Sequence, residues 1–375
     1  MHILIAPDSF KESLSAAQVA EAIKLGFSKV YPHASYDLLP LGDGGEGTVE
    51  SLTDALSLDV KHTYVTGPFG DKVKVTYAMK DDLAVFEMAA IVGLGSIPHE
   101  KRNPLLLKTE GIGELIVELV QNGAQRILIG VGGSASHDGG IGMASGLGVR
   151  FYDCDGDEVE AIGAHLGKIV RYSTDEMLVD LSQVRIDLVT DVNNPLCGPL
   201  GATYVFAGQK GLAPEEFERI DEEMAGFYNN VNPEILAVSG AGAGGGMAAG
   251  LVHFAGAHIQ KGVDFVMNQL NFDHRVAEAD LVIVGEGRMD IQSLAGKTPI
   301  GVAQRTPDGV PIIAICGSLK DDLPDFPFEN ICAAFPIIAS VDSLEHTLKN
   351  AEKNLIRTAE QVARVIQLGG TLRWN

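Results

Sequence analysis

Five short loops carry most of the side chains in this chain that could do chemistry, and each follows a run that reads as a strand. They are Asp8-Ser9-Phe10-Lys11, Gly42-Asp43-Gly44-Gly45-Glu46-Gly47-Thr48, Ser134 through Asp138, Asp191-Val192-Asn193-Asn194 and Gly285-Glu286-Gly287-Arg288-Met289-Asp290. Acids, hydroxyls, amides and single cations set among glycines are what phosphoryl transfer requires. It needs backbone N–H groups around phosphates, carboxylates for Mg²⁺, a cation for developing charge and a carboxylate near the attacking hydroxyl. The longest glycine stretch, Gly130–Gly148, holds eight glycines and three serines. Glycine permits left-handed backbone and close approach to a ligand, at a cost of up to about 1 kcal/mol each in chain entropy. This stretch reads as a loop that wraps something.

Alternating strands and helices must position these loops. His2–Ala6 is a short apolar run, and Ser15 and Gln18 have capping-box spacing before a helix whose Val19, Ile23 and Phe27 share one face. Tyr36–Leu39 reads as a strand and Val49–Ala55 as a helix. Between about Lys61 and Leu94 three strands follow one another with turns only, a change of pattern that suggests a domain boundary. Ile112–Val120 and Phe217–Tyr228 read as helices, and Ile127–Ile129 and Ile186–Val189 as strands. From Asp280 the alternation returns, with strands at Leu281–Val284, Pro311–Ile315 and Ile331–Phe335. A single last helix is expected over Leu344, Leu348, Leu355, Val362 and Ile366, begun by Asp342 and Glu345 and ended at Gly369-Gly370. The expected architecture is α/β with two domains. A parallel-sheet domain is built from residues 1–60 and 275–375, and a mixed α/β domain, 61–274, is inserted into it.

Composition narrows the function. The 375 residues exceed the roughly 250–300 that one core supports. A formal charge of −22 argues against nucleic acid, whose phosphates need a basic footprint. It also means that an anionic substrate must find local cations or a metal. Cys154, Cys197, Cys316 and Cys332 form no C-x-x-C pair, which fits free thiols in a reducing compartment. With no apolar run of signal-peptide or membrane-span length, a cytoplasmic protein with no membrane partner is expected. Oligomeric state is left open.

Other glycine-rich motifs in the chain are weaker. Gly240, Gly242 and Gly245 match G-x-G-x-x-G, and Gly130, Gly132 and Ala135 match its alanine variant, so a nicotinamide-dependent oxidoreductase is the alternative of a different class. Gly242–Gly246 reads equally well as close packing of a helix on a sheet. Gly296-Lys297-Thr298 resembles the end of a Walker A loop, but Ile291 stands where glycine is required.

The stretches IAPDSFKESLSA, PLGDGGEGT, GGSASHDGGIGMASGLG, TDVNNPLCGPLGA, GAGGGMAAGL and VGEGRMDIQSLAGKTPIGVA occur in this order over nearly the whole chain. Together they resemble the bacterial type I glycerate kinases. The resemblance implies ATP- and Mg²⁺-dependent phosphorylation of D-glycerate with release of ADP, and a flavodoxin-like domain carrying an inserted one. It favours 2-phospho-D-glycerate as product, with transfer to the 3-hydroxyl as the alternative.

Within that expectation, roles follow from side-chain chemistry. Asp191 is the first candidate to accept the proton of the attacking hydroxyl, with Asn193 beside it as a substrate contact. Arg288 suits a carboxylate or phosphate because its planar guanidinium binds both oxygens. With Lys11 it completes the catalytic set. Asp8, Ser9, Asp43 and Asp290 are expected around the substrate, and Asp43, Glu46 and Glu286 around Mg²⁺. Asp43 and Glu46 serve equally well as caps for a following helix. Gly133, Ser134, Ser136, Asp138 and Lys297 are expected on the nucleotide phosphates, whereas His137 reads more simply as a local hydrogen-bonding residue.

Overall fold

The computed structural model describes residues 1–42, 52–53, 56–190, 192–291, 293, 297–338, 340 and 342–370. Strand β1 (His2–Ile5) leads to helix α1 (Ala16–Ser28) and β2 (Ser35–Leu38), and then come β3 (Asp59–Thr66), β4 (Lys72–Lys80) and β5 (Leu83–Glu87). Next are α2 (Glu110–Gln121), β6 (Arg126–Gly130), α3 (Ile141–Gly146), β7 (Arg185–Thr190), α4 (Phe217–Val231), α5 (Met247–Ala255) and β8 (His258–Lys261). The last stretch holds β9 (Leu281–Val284), α6 (Thr298–Arg305), β10 (Ile312–Cys316), β11 (Ile331–Pro336), α7 (Leu344–Lys349) and α8 (Ala351–Gly369). Two compact units result. One takes both chain ends, residues 1–42 and 262–370, and the other takes Leu58–Lys261.

In the terminal unit five parallel strands lie in the order β2-β1-β9-β10-β11. Counted within the unit this is 2-1-3-4-5, the flavodoxin-like doubly wound order. Ile3 pairs with Tyr36 on one side and Leu281 on the other, so the direction of winding reverses between β1 and β9. Ligands of such sheets bind at the carboxyl ends of the strands beside that reversal. The strands are short apolar runs because helices cover the sheet: Ile3, Leu4, Ile5, Val282, Ile283 and Val284 are all fully buried. Helix α1 begins with the predicted capping box, in which the Gln18 N–H donates to Ser15 Oγ (3.3 Å) and the Ser15 N–H to Gln18 Oε1 (2.9 Å). Its Val19, Ile23 and Phe27 pack with Leu355, Ala359 and Val362 of α8. The two helices come so close that a Cβ on Gly26 would lie 2.6 Å from the Ala359 Cβ.

The expected single C-terminal helix is two. Asn350, at φ −99° and ψ 9°, separates α7 from α8, and its side-chain amide donates to the His346 carbonyl at 2.8 Å. The same carbonyl accepts the Asn350 backbone N–H at 3.2 Å, so backbone and side chain of one residue close the last turn of α7. The cap of α7 is Ser343, whose Oγ accepts the His346 N–H, and not Asp342.

The inserted unit has a six-stranded sheet in the order β8-β7-β6-β5-β4-β3. β5 through β8 run parallel, whereas β3, β4 and β5 form the antiparallel portion that the helix-free stretch predicts. Its core joins Phe86, Ile129 and Leu188 of the sheet to Ile112, Leu115 and Ile116 of α2. Among the described residues no helix is long and apolar enough to cross a membrane.

Candidate active site

At the reversal point of the terminal sheet the loops after β1 and β9 are zipped together. The Ala6 N–H donates to the Ile283 carbonyl and the Asp8 N–H to that of Gly285, each at 2.8 Å. The loop after β10 crowds in as well, since a Cβ on Gly285 would lie 2.4 Å from the Ile315 oxygen and one on Gly317 2.2 Å from the Gly287 oxygen. Only glycine lets three strand ends approach this closely. A cavity of about 460 Å³ opens there, lined by Asp8, Ser9, Lys11, Glu286, Arg288, Asp290 and Lys297 among others. Glu12, on the same cavity, holds a left-handed φ of 64°, a conformation that non-glycine residues seldom keep without surrounding support.

Two carboxyls in this cavity are nearly inaccessible. Asp8 is 8% exposed, and its oxygens accept from the Ser9 N–H (2.6 Å) and the Thr298 hydroxyl (3.0 Å). Glu286 is 6% exposed; Ser293 hydrogen-bonds its carboxyl, yet Oε1 has no hydrogen-bond partner. Burial drives its pKa up to about 7, and the nearby charges of Asp8 and Asp290 add to this. The Ser293 hydrogen bond and the charge of Lys297 work in the opposite direction. Asp290 and Ser293 brace each other, the Asp290 N–H donating to Ser293 Oγ (3.1 Å) and the Ser293 N–H to Asp290 Oδ1 (3.3 Å). Arg288 lies 3.5 Å from Asp290 through Nε, and its backbone pairs with Ser318 in a two-residue parallel ladder. At 63% exposure its side chain keeps its reach.

The inserted unit divides the Gly130–Gly148 stretch into two parts. Gly130, Gly132 and Gly133 line a second cavity, of about 550 Å³. Ser134, Ser136, His137 and Asp138 turn inward, each 6% exposed or less. Asp138, expected on phosphates, accepts from the Thr109 hydroxyl (2.6 Å) and from the Gly140 and Gly142 N–H groups (3.0 and 3.3 Å) at the start of α3. Its carboxyl is pushed up by burial, against those hydrogen bonds. Ser134 Oγ and the Ser136 carbonyl accept from Lys210 Nζ at 2.7 and 2.8 Å. His137 Nε2 lies 3.0 Å from Thr203 Oγ1, and burial and then the charge of Lys210 push its pKa down to about 3. Lys210, which sequence reasoning missed, is 4% exposed and pushed down to about 7 by burial despite the charge of Asp138. Its setting between Gly208-Gln209 and Gly211 carries no sequence signal for burial.

The remaining candidates are distributed as follows. Lys297, grouped in sequence with the glycine loop, lines the cavity of the terminal unit. Asn193 is exposed, and its carbonyl accepts from Ser239 Oγ at 3.2 Å. Asp43, Glu46 and Asp191 lie outside the described residues. Among the described residues no group of three or more acidic, histidine or cysteine side chains is placed to hold a metal. Neither G-x-G-x-x-G match stands between a strand and the helix it should open. Gly240 follows a 3₁₀ turn (Pro233–Ala237), and Gly130 precedes the first residue of α3, Ile141, by eleven positions. Gly242 and Gly245 are close-packing positions, where a Cβ would lie 2.4 Å from the Pro195 oxygen and 2.3 Å from the Ser136 oxygen.

The model of the glycerate kinase family matches residues 3–367. The chain is 52% identical over 368 residues to a glycerate kinase of Neisseria meningitidis serogroup B, covering 98% of this chain and 99% of that one. It is 39% identical over 376 residues to the glycerate 2-kinase of Escherichia coli, with 98% and 99% covered. A crystal structure of a Salmonella typhimurium LT2 protein, described as glycerate kinase 2, is similar with a TM-score of 0.87 and 41% identity over 99% of this chain and 100% of that one.

Proposed function

Because the chain belongs to the glycerate kinase family, we propose that it transfers the γ-phosphoryl group of ATP to D-glycerate, giving 2-phospho-D-glycerate and ADP. One observation carries the reading of the site. The cavity beside β1 and β9 sets a buried carboxyl with an unpartnered oxygen, Glu286, among Lys11, Arg288 and Lys297. In a chain of charge −22 those three cations are what an anionic substrate needs. Arg288 takes the glycerate carboxylate through its guanidinium fork, with Asp290 steadying it. Lys11 and Lys297 face the transferred phosphoryl group, and Ser9 and Asp8 bound the substrate hydroxyls. Asp191 accepts the proton of the attacking hydroxyl, with Asn193 adjacent to it in the chain.

Mg²⁺ is held by hard oxygen donors, commonly one or two carboxylates, with phosphate and water completing its shell. The orphaned Oε1 of Glu286 and the neighbouring Asp8 fit that donor set and would hold the ion, with Asp43 and Glu46 as further candidates. When bound, the ion neutralises charge on the phosphates. Choice of the 2-hydroxyl follows the relative named glycerate 2-kinase. The test is a coupled assay: ADP release should depend on glycerate and stop when Mg²⁺ is chelated. Turnover that ignores glycerate refutes the reading.

A further inference from the structure

The second cavity lies wholly within the inserted unit, at the carboxyl ends of the parallel pair β5 and β6. We propose that it is the nucleotide site, receiving the base of ATP on the apolar side made by Ala89, Ala90 and Leu94 and its phosphates between the glycine backbone and Arg102. This inference rests on the reading of the chain as an ATP-dependent kinase.

The two cavities differ in chemistry. The one in the terminal unit is lined by four acids (Asp8, Glu12, Glu286, Asp290) and three cations, and suits a small polar anion. The cavity in the inserted unit, about 550 Å³, falls in the range of ligand pockets of nucleotide size. It has one acid, Glu87, suited to ribose hydroxyls, and one cation, Arg102. The Arg102 guanidinium is pre-oriented: Nε donates to the Ile97 carbonyl (3.2 Å) and Nη2 to that of Leu94 (3.3 Å). Its wall is preformed as well. The Met88 N–H donates to the Gly130 carbonyl (2.9 Å), the Leu94 N–H to that of Gly133 (2.8 Å) and the Ala135 N–H to that of Val92 (2.8 Å), and Gly93 bridges to Ser134. Gly133 holds a left-handed φ of 68°, so its place in the wall requires glycine.

Lys210 is the independent observation. Burying an ammonium group is costly, and an apolar side chain would usually serve stability better. Here the buried Nζ grips Ser134 and Ser136, directly behind the wall residue Gly133. Through these two hydrogen bonds it fixes the segment that follows the wall.

Blocking variants test the site. A Cβ on Gly95 meets no atom within 4 Å, and Ala90 is exposed, so Gly95→Trp and Ala90→Phe can fill the cavity without disturbing the core. Folding is checked first by circular dichroism, and ATP and D-glycerate are then titrated separately by calorimetry and varied separately in the kinase assay. The expected result is a loss of ATP affinity and a rise in KM for ATP of roughly tenfold or more, with glycerate binding and its KM unchanged. ATP affinity equal to wild type in both variants overturns the proposal while leaving the kinase reading intact. ATP bound through this cavity by a protein that does not phosphorylate glycerate would uphold the site and sink the kinase reading.

Discussion

Glu286→Gln should make the metal-free protein more stable while disabling it. The substitution is nearly isosteric and removes only the charge of a carboxyl that is buried with one oxygen unpartnered. Burial raises its pKa from 4.5 to about 7; at about 1.4 kcal/mol per pH unit, the ionised form costs the folded state about 3 kcal/mol. The sign follows from proton counting. Between about pH 4.5 and 7 the folded protein holds a proton that the unfolded chain has released, so stability falls as pH rises through that window and stays low above it. Glutamine has no such dependence. Urea unfolding with EDTA should therefore show wild type and variant nearly equal at pH 4.5, with the variant ahead by up to about 3 kcal/mol at pH 8. A gap that does not widen with pH, or a variant less stable at pH 8, would show that Glu286 does not carry a destabilising charge. The trade is one in which a site keeps a destabilising charge for its chemistry.

Three further substitutions separate the proposed roles. Arg288→Lys keeps the charge but loses the fork, so KM for glycerate should rise about tenfold or more with a smaller change in kcat; an unchanged KM removes Arg288 from the substrate site. Asp191→Asn should leave KM largely intact and lower kcat by roughly 10²–10⁴-fold, and kinetics near wild type would exclude it as the proton acceptor. Lys210→Met probes the buried ammonium. Between about pH 7 and 10.5 the folded protein binds fewer protons at Lys210 than the unfolded chain, so wild-type stability rises with pH across that window, by up to about 5 kcal/mol. The variant lacks this gain, and parallel pH–stability curves for the two proteins would contradict the burial of Lys210.

Local signals in the sequence were reliable where a few adjacent residues decide the structure. Ser15 and Gln18 form the capping box their spacing predicts, and the helix-free stretch before Leu94 does form the antiparallel part of the second sheet. The break at Asn350 was not legible, because the apolar periodicity runs on through it while the backbone leaves the helical path at that one residue. Site chemistry was legible as residue types and less so as environment. Glu286 is visible as an acid in a glycine loop, but its surroundings include the charge of Asp8, distant in the chain, and a hydrogen bond from Ser293, seven residues on. Asp138 looked equally chemical and is instead spent on the Thr109 hydroxyl and the start of α3. Lys210 and Arg102 stand in unremarkable contexts, and only the folding of the second unit brings Lys210 to Ser134 and Ser136 and Arg102 to the cavity lined by Gly130, Gly132 and Gly133.

The proposed transfer of phosphate to the 2-hydroxyl of glycerate is tested most directly by ³¹P NMR of the reaction of D-glycerate with ATP and Mg²⁺. A 2-phosphoglycerate resonance growing in step with ADP is expected. A 3-phosphoglycerate resonance would contradict the proposed orientation of the substrate on Arg288, and ATP left intact in the presence of glycerate would contradict the function itself.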